Sequence, residues 1–553
     1  MQPYKHRSAP DPDLKGWPKG IRYIIGNEGC ERFSYYGMNA ILYVYIVSLY
    51  AGVGVVDDKT ADMATSTVHF FKTGVYALPM IGAIVADRFL GKYRTILWLS
   101  FVYCAGHFVL SCTEGSVSGL YLGLFLIALG SGGIKPCVSA HVGDQFGKSN
   151  WHLMDKVYQG FYFIINFGSF FSTLLIPLVQ KWFGWRVAFA IPGVLMFVAT
   201  FVFWLGRKEF VHVPAKPGGY VGFLDATSSV LLFMTLGSLF FTAHQSLWMM
   251  TVVSLSCLAA GLWVFQVRQS VAADDGFLAV SLFTMKEWFK QFALNRGDVA
   301  FAAVSSGSGA MKGSRPVGSW RSNVNQQFSN EAIEGTLAVL KIISIFFLVS
   351  VFWSLFDQST SSWIRQAEMM NRQVALPFFG QFEILSSQIQ ALNPVLVMIM
   401  IPILLYGLYP WMEKRGIRLS ALMRMSIGMF IASISFAMVA WIQYEIDISA
   451  LQNQQLHVGW QFFPYVFITL AEVLVSITGL EFAYTQAPKR MKSTVMGFWL
   501  LSVALGNILV ALTARFSDLK LVNFFWVFAG LMALAALLFY VRSLFYVQRD
   551  YYQ

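Results

Sequence analysis

Ionisable residues fall inside otherwise apolar stretches of this chain. Glu28, Glu31 and Arg32 open "NEGCERFSYYGMNAILYVYIVSLY", and Lys135 follows "GSGGI". Asp357 lies in "FWSLFDQSTSSW" and Glu472 in "TLAEVLVSITGLEFAYTQAP". A charged side chain near a bilayer centre costs at least about 2.5–3.5 kcal/mol on insertion scales. Groups kept at that cost face a bundle interior or a watered cavity, where they pair with one another or mark an ion or substrate path.

The amino-terminal group is ordered. At roughly 100° per residue, with Glu28 at zero, Glu31 falls near −60°, Arg32 near +40°, Tyr35 near −20°, Tyr36 near +80° and Asn39 near +20°. The polar groups share one arc, and Glu28 and Arg32 form an i,i+4 pair in the favourable order. An interfacial ion pair near a helix end is the alternative. Arg32 and Lys135 place cations in the amino half, beside Glu28 and Glu31, whereas Asp357 and Glu472 make the carboxyl half acidic. That field suits a substrate with a carboxylate at one end and an amine at the other. Tyr35, Tyr36, Tyr76, Tyr162, Trp353, Phe356 and Trp499 can wall loosely selective pockets, although in a chain that is 16% aromatic any single ring is more often packing.

Ionisable groups facing each other in a low-dielectric cavity titrate together. Pairing with Arg32 and Lys135 would hold Glu28 and Glu31 ionised. Protonating a carboxylate would release its cation to an arriving substrate carboxylate, which links proton and substrate binding without a metal or other cofactor. Na⁺ coupling is the alternative, without an evident Asn/Ser/carbonyl constellation for it. His69, in the second apolar run, is either a hydrogen-bonded structural residue or a proton relay.

These residues need a membrane scaffold. Of 553 residues, 56% are hydrophobic and 12% charged, with 50 Phe and 17 Trp; the mean hydropathy is +0.57. Long apolar runs recur along the chain, so the fold class is all-α integral membrane. About fourteen spans are expected, near 22–50, 64–86, 93–112, 117–141, 157–180, 186–206, 221–243, 246–267, 337–358, 388–410, 418–442, 459–485, 493–514 and 521–546. Basic residues crowd alternate loops, for example Arg88, Lys92 and Arg94, then Arg207, Lys208 and Lys216; the intervening loops carry Asp62, Glu114, Glu445 and Asp447. That asymmetry places both termini in the cytoplasm. The net charge of +11 then reflects cytoplasmic loops rather than nucleic-acid binding. The five cysteines are odd in number and lack CxxC spacing, so they read as small core residues. No cleavable signal peptide is evident, and no HExxH or GxSxG motif points to an enzyme.

The one long loop, 268–335, is polar, glycine- and serine-rich near 305–320, and reads as a cytoplasmic linker with a surface helix over 282–294. If the seventh and eighth spans are an inserted hairpin, six plus six remain, the pattern of a major facilitator transporter. The units are 1–212 (first six-helix bundle), 213–268 (hairpin), 269–335 (loop) and 336–553 (second bundle). In that count the charged residues lie on helices one, four, seven and ten, which line the central cavity of this architecture.

Several stretches resemble one known family. The pattern ExxERFxYYG stands at Glu28, Glu31, Arg32, Phe33, Tyr35, Tyr36 and Gly37. "GAIVADRFLGKYRTI", "GSGGIKPCVSAHVGDQF", "FYFIINFGS", "FWSLFDQ", "LNPVLVMIMIPI" and "GLEFAYTQAPKRMKS" continue the match. The chain resembles the proton-dependent oligopeptide transporter (peptide transporter, PTR) family over nearly its whole length. The resemblance implies import of di- and tripeptides with protons by alternating access, by a protein acting as a monomer. It implies proton coupling by Glu28, Glu31, Arg32, Lys135 and His69, with Asp357 in the outer gate. It assigns the peptide amino terminus to Glu472 and pocket positions to Tyr36, Tyr162, Asn166, Trp353, Phe356, Asn393 and Ser476, with Tyr76 beside them. Two extra spans between the halves resemble bacterial members and imply an inner membrane.

One position departs. After "YYGM" the family usually has Arg, and here Asn39 stands. Asn keeps hydrogen bonding but loses the charge and the bidentate fork. Carboxylate binding would then rest on Lys135 and Arg32, or the preferred substrate differs; Asp357 would lack its usual partner. The other readings are a same-family carrier of a peptide-like compound or an anion such as nitrate, and a sensor that moves nothing.

Overall fold

The computed structural model describes residues 7–54, 57–241, 247–304, 320–376, 380–416, 419–488 and 491–546. The first group of helices is α1 (Ile21–Gly52), α2 (Asp57–Val85), α3 (Lys92–Cys112), α4 (Val117–Asp144) and α5 (Met154–Leu205). Next come α6 (Gly219–Phe241), α7 (Leu247–Val271), α8 (Phe277–Val304) and α9 (Trp320–Gln327). The last group is α10 (Asn330–Phe356), α11 (Ser362–Glu368), α12 (Leu392–Pro402), α13 (Tyr409–Lys414), α14 (Ala421–Leu451), α15 (Phe462–Glu472), α16 (Thr478–Gln486), α17 (Lys492–Phe516) and α18 (Leu521–Leu544).

Helices dominate because lipid offers no partner for backbone N–H and C=O groups, so each spanning segment must satisfy its own. Among the described residues, eleven helical stretches are long and apolar enough to cross a membrane. Gly184, at φ 80°, breaks α5 into two spans. α1, with its polar stripe, and the shorter apolar α6 complete the expected fourteen. Serines cap several starts: Ser116 accepts from Gly119 N–H at 3.2 Å, and Ser329 from Ala332 N–H at 3.2 Å.

α1–α5 pack around one apolar core that includes Ile46, Phe71, Ile127 and Phe189. α10–α18 pack around a second that includes Phe346, Phe436, Phe525 and Phe528. The two bundles meet chiefly along α2 against α17, with further contact of α5 with α12 and with the turn 386–391. Cross-bundle hydrogen bonds and ion pairs gather toward the end where α1 finishes and α2 begins. Arg365 reaches Asp62 at 2.9 Å, and Gln388 Nε2 donates to the Leu174 carbonyl at 2.9 Å. This is called the closed end below.

The run Gly130-Ser131-Gly132-Gly133 explains how α4 comes close enough to matter. A Cβ on Gly82 would lie 2.4 Å from Gly133 Cα, so α2 and α4 touch backbone to backbone. That seam carries Ser131 and Lys135 to the bundle interior.

The hairpin α6–α7 docks on the first bundle. A Cβ on Gly222 would lie 2.1 Å from the Arg88 carbonyl oxygen. Lys216 N–H donates to the Asp87 carbonyl at 2.9 Å and Gly218 N–H to the Arg88 carbonyl at 3.1 Å. Arg268 ties the two helices together through Asp225 at 2.5 Å and holds Asp274 at 2.9 Å.

Between spans nine and ten lies a small antiparallel pair, β1 (Gln373–Leu376) and β2 (Gly380–Glu383), with Gln373 opposite Glu383. The surface helix expected over 282–294 is longer, the whole of α8. The glycine- and serine-rich part of that loop, 305–319, lies outside the described residues.

Candidate functional site

α1 is buried on nearly every side, so its apolar arc packs too: Ile41 is 1% exposed and Leu42 0%. Its polar arc carries the ExxER group as the spacing predicts. Arg32 Nε lies 3.1 Å from Glu28 Oε1, and the guanidinium also contacts the Glu31 carboxylate. Glu31 accepts a second contact from α4, where Ser131 Oγ donates at 2.9 Å. Glu28, Glu31 and Arg32 are all buried.

Lys135 is placed differently from expectation. Among the described residues no carboxylate lies within ion-pair distance of it. Its Nζ sits 4.3 Å from the Tyr35 ring centroid and 4.9 Å from that of Tyr76. Aromatic faces attract a cation by about 0.5–2 kcal/mol, less than a buried carboxylate would. Arg32 pairs with both glutamates, and Lys135 rests against the two rings. Arg32 also approaches the Tyr35 ring, at 5.7 Å, so that ring is shared by both cations.

Across the interface, Glu472 ends α15 just before a π-helical turn, Val473–Ile477, that contains Ser476. Such turns re-aim side chains within a helix and recur at functional sites. Asn393 Nδ2 donates to Glu472 Oε2 at 2.7 Å and to Thr469 Oγ1 at 3.2 Å. Tyr36 lies within electrostatic reach of both Arg32 and Glu472. Tyr162 is likewise within reach of Glu472 and is 43% exposed. Asn166 Nδ2 donates to the Tyr162 carbonyl one turn back, at 2.9 Å. Trp353, Phe356 and Trp499 form a ring cluster, with Trp353 5.8 Å from Phe356 and 6.0 Å from Trp499. Asn39 is buried, and its Oδ1 has no hydrogen-bond partner among the described residues.

Asp357 does not lack a cation. Lys72 on α2 takes that place, with Nζ 2.6 Å from Asp357 Oδ1. Asn507 Nδ2 donates to the other carboxylate oxygen at 2.6 Å. His69 joins through Nδ1 to Asn507 Oδ1 at 2.7 Å and through Nε2 to Ser361 Oγ at 2.8 Å. Lys72, Asn507 and Ser361 were missed in the sequence. Lys72 could have been found: it is a lysine inside an apolar span, three residues after His69 and so on the same helix face. Asn507 and Ser361 gave no comparable signal.

The comparisons with known proteins come to one family. A family model described as "POT family" matches residues 93–272 and 311–527. Human solute carrier family 15 member 2 is 29% identical over 496 residues, covering 87% of this chain and 56% of that protein. This chain thus spans little more than half the length of that relative. The crystal structure of the POT family transporter PepTSo superposes with a TM-score of 0.74 at 38% identity, covering 96% of this chain and 98% of that one. An auto-inhibited POT family peptide transporter gives 0.75 at 35% identity, covering 97% and 99%. With the family model covering most of the chain and both bundles matching throughout, this protein belongs to the POT family.

Proposed function

We propose that the protein imports di- and tripeptides together with protons, by alternating access of a site between its two bundles. The observation that carries this reading is the polarity of the facing walls. Arg32 and Lys135, which has no carboxylate within ion-pair distance among the described residues, stand on one side, and Glu472, oriented by Asn393, on the other. A zwitterion of peptide length would place its carboxylate at the lysine and its amine at the glutamate. Related proteins described as peptide transporters support the same substrate class. Glu28, Glu31, Arg32 and Lys135 serve as the proton-linked group, with His69 and Asp357 at the closed end. Tyr36, Asn39, Tyr76, Tyr162, Asn166, Trp353, Phe356, Asn393 and Ser476 shape the pocket. The chain works as a monomer in a bacterial inner membrane with both termini in the cytoplasm, so the closed end faces outward.

The test is uptake of di-, tri- and tetrapeptides into proteoliposomes, with and without an imposed pH gradient. Gradient-driven accumulation of di- and tripeptides is expected. Glu31→Gln and Lys135→Ala should each abolish uphill accumulation and leave exchange. Normal concentration of substrate by both variants would reject the assignment.

A further inference from the structure

The chain passes from one bundle to the other at a short crossing. The loop 268–335 reads in sequence as one long linker, yet its start and its continuation belong to different halves. On one side, α6 lies along α2 and the turn Ala86–Leu90, and α7 pairs with α6, so the hairpin is fastened to the first bundle. On the other side, the start of α8 sits on the second. The Phe277 ring meets Phe498 of α17 edge to face at 5.4 Å, Val280 is buried, and α8 lies against α10. Between Val271 and Phe277 stand five residues, Ala272-Ala273-Asp274-Asp275-Gly276. Drawn out, that segment reaches about 20 Å.

It is not drawn out. Arg268 Nη2 lies 2.9 Å from Asp274 Oδ2, and Nη1 donates to the Ala272 carbonyl at 2.5 Å. The Gln269 amide binds Asp274 in both directions. Its Nε2 donates to Oδ1 at 3.0 Å, and its Oε1 accepts from the Asp274 N–H at 3.1 Å. Gly276 N–H donates to the same Oδ1 at 3.3 Å, an Asx turn. Asp274 thus gathers the crossing into a knot against the end of α7. Arg268 is itself fixed by Asp225 on α6, and its side chain is buried. Hydrogen bonds between ionised groups are roughly twice as strong as neutral ones.

The crossing lies opposite the closed end, where α2 finishes and α10 and α17 begin. Two ion pairs there, Lys92 with Asp144 and Arg424 with Glu481, each stay within one bundle. Rocking of one bundle against the other changes their spacing at this end. A tied knot fixes the spacing between hairpin and α8, whereas an untied one leaves slack. We propose that the Arg268–Gln269–Asp274 knot is a strap across the inner end, which holds the bundles at the spacing seen here until it unties. This rests on the alternating-access reading given above. It gives the inserted hairpin a task, which is to anchor the strap on the first bundle. The sign follows: the knot fits the inner end as it stands here, so its loss favours the arrangement with that end closed.

The test reads the inner end and needs no peptide. Spin labels replace Tyr220, 62% exposed at the start of α6, and Lys414, exposed at the end of α13. The full-length protein, freed of its five native cysteines, is held in nanodiscs and measured across a range of pH. A long and a short label-to-label distance are expected in the parent. Asp274→Ala unties the knot and should lower the ratio of long to short about tenfold, the weight of one or two net hydrogen bonds. Inserting Gly-Ser-Gly-Ser after Gly276 keeps the knot, adds slack and should give the same shift. Two variants that match a two-distance parent overturn the strap. A shift in Asp274→Ala without one in the insertion also rejects it, and leaves Asp274 a role in the fold of the hairpin alone. If Asp274→Ala fails to fold, the insertion still decides. A parent with one distance at every pH would sink the alternating-access reading as well. A strap that behaves as expected in a protein that imports no peptide would sink the substrate reading alone.

Discussion

Lys72 Nζ lies 2.6 Å from Asp357 Oδ1, although 285 positions separate the two residues and they belong to different bundles. Both side chains are buried. Removing one partner of a buried pair leaves an uncompensated charge and costs about 3–5 kcal/mol, whereas replacing both costs far less. Lys72→Met should therefore lower the melting temperature in detergent and suppress uptake. Lys72→Met with Asp357→Asn should recover most of the stability, and a double-mutant cycle of melting curves would measure the coupling. Additive losses would show that the pair contributes nothing as a pair.

Ser131 reports on the ExxER group from the opposite helix. Its hydroxyl donates to Glu31 Oε1 at 2.9 Å, and a hydrogen bond to a charged acceptor contributes about 1.5–3 kcal/mol. Ser131→Ala fits the same seam of small residues, so the fold should be retained. Gradient-driven uptake is expected to fall about tenfold or more and its pH dependence to move, while counterflow at equal pH changes little. Parallel pH profiles of both activities test this.

Asn39 separates a structural cost from a binding role. Its Oδ1 is buried without a partner among the described residues, and such an acceptor costs about 1–3 kcal/mol when left unmade. Asn39→Leu should leave the melting temperature unchanged or raised. If a ligand donor meets Oδ1, the same change should raise the dipeptide KM about tenfold. A fall in stability with an unchanged KM would place Asn39 in the packing alone.

Asn393 aims Glu472 through a 2.7 Å bond. Asn393→Ala should weaken binding of peptides with a free amine by about tenfold, a loss of roughly 1.4 kcal/mol. Dipeptides with a blocked amino terminus should be unaffected by it. Competition uptake with the two series compares them directly.

Gly82 tests the seam that carries Lys135. A Cβ there would come within 2.4 Å of Gly133 Cα, backbone that cannot turn aside. Gly82→Ala should cost about 1–3 kcal/mol of stability and displace Lys135 from the Tyr35 and Tyr76 rings. Lower melting temperature together with weaker peptide binding is the expected pattern.

Much of this was legible in the sequence because bilayers constrain it tightly. Run length gave the spans, and helical periodicity put Glu28, Arg32 and Asn39 on one arc before any coordinates. The quoted motifs named the family. What escaped were facts of the third dimension. Arg32 pairs with both glutamates and Lys135 rests on aromatic rings, a matter of angle that spacing on α1 does not encode. Lys72 carried a signal, a charge in an apolar run, but its partner lies in the other half of the chain. Asn507 and Ser361 are ordinary polar residues until α17 and the turn before α11 bring them beside His69.

The docking of α6 has a practical corollary. Gly222, Lys216 and Gly218 fasten that helix to the carbonyls of residues 87 and 88, so it must ride wherever the first bundle goes. Trp248, beside the tip of the hairpin and 76% exposed, is then a handle away from the interface between the bundles. A dye or a nanobody epitope fixed there would report movement of the first bundle in real time without contacting the Glu28–Arg32 or Glu472 groups.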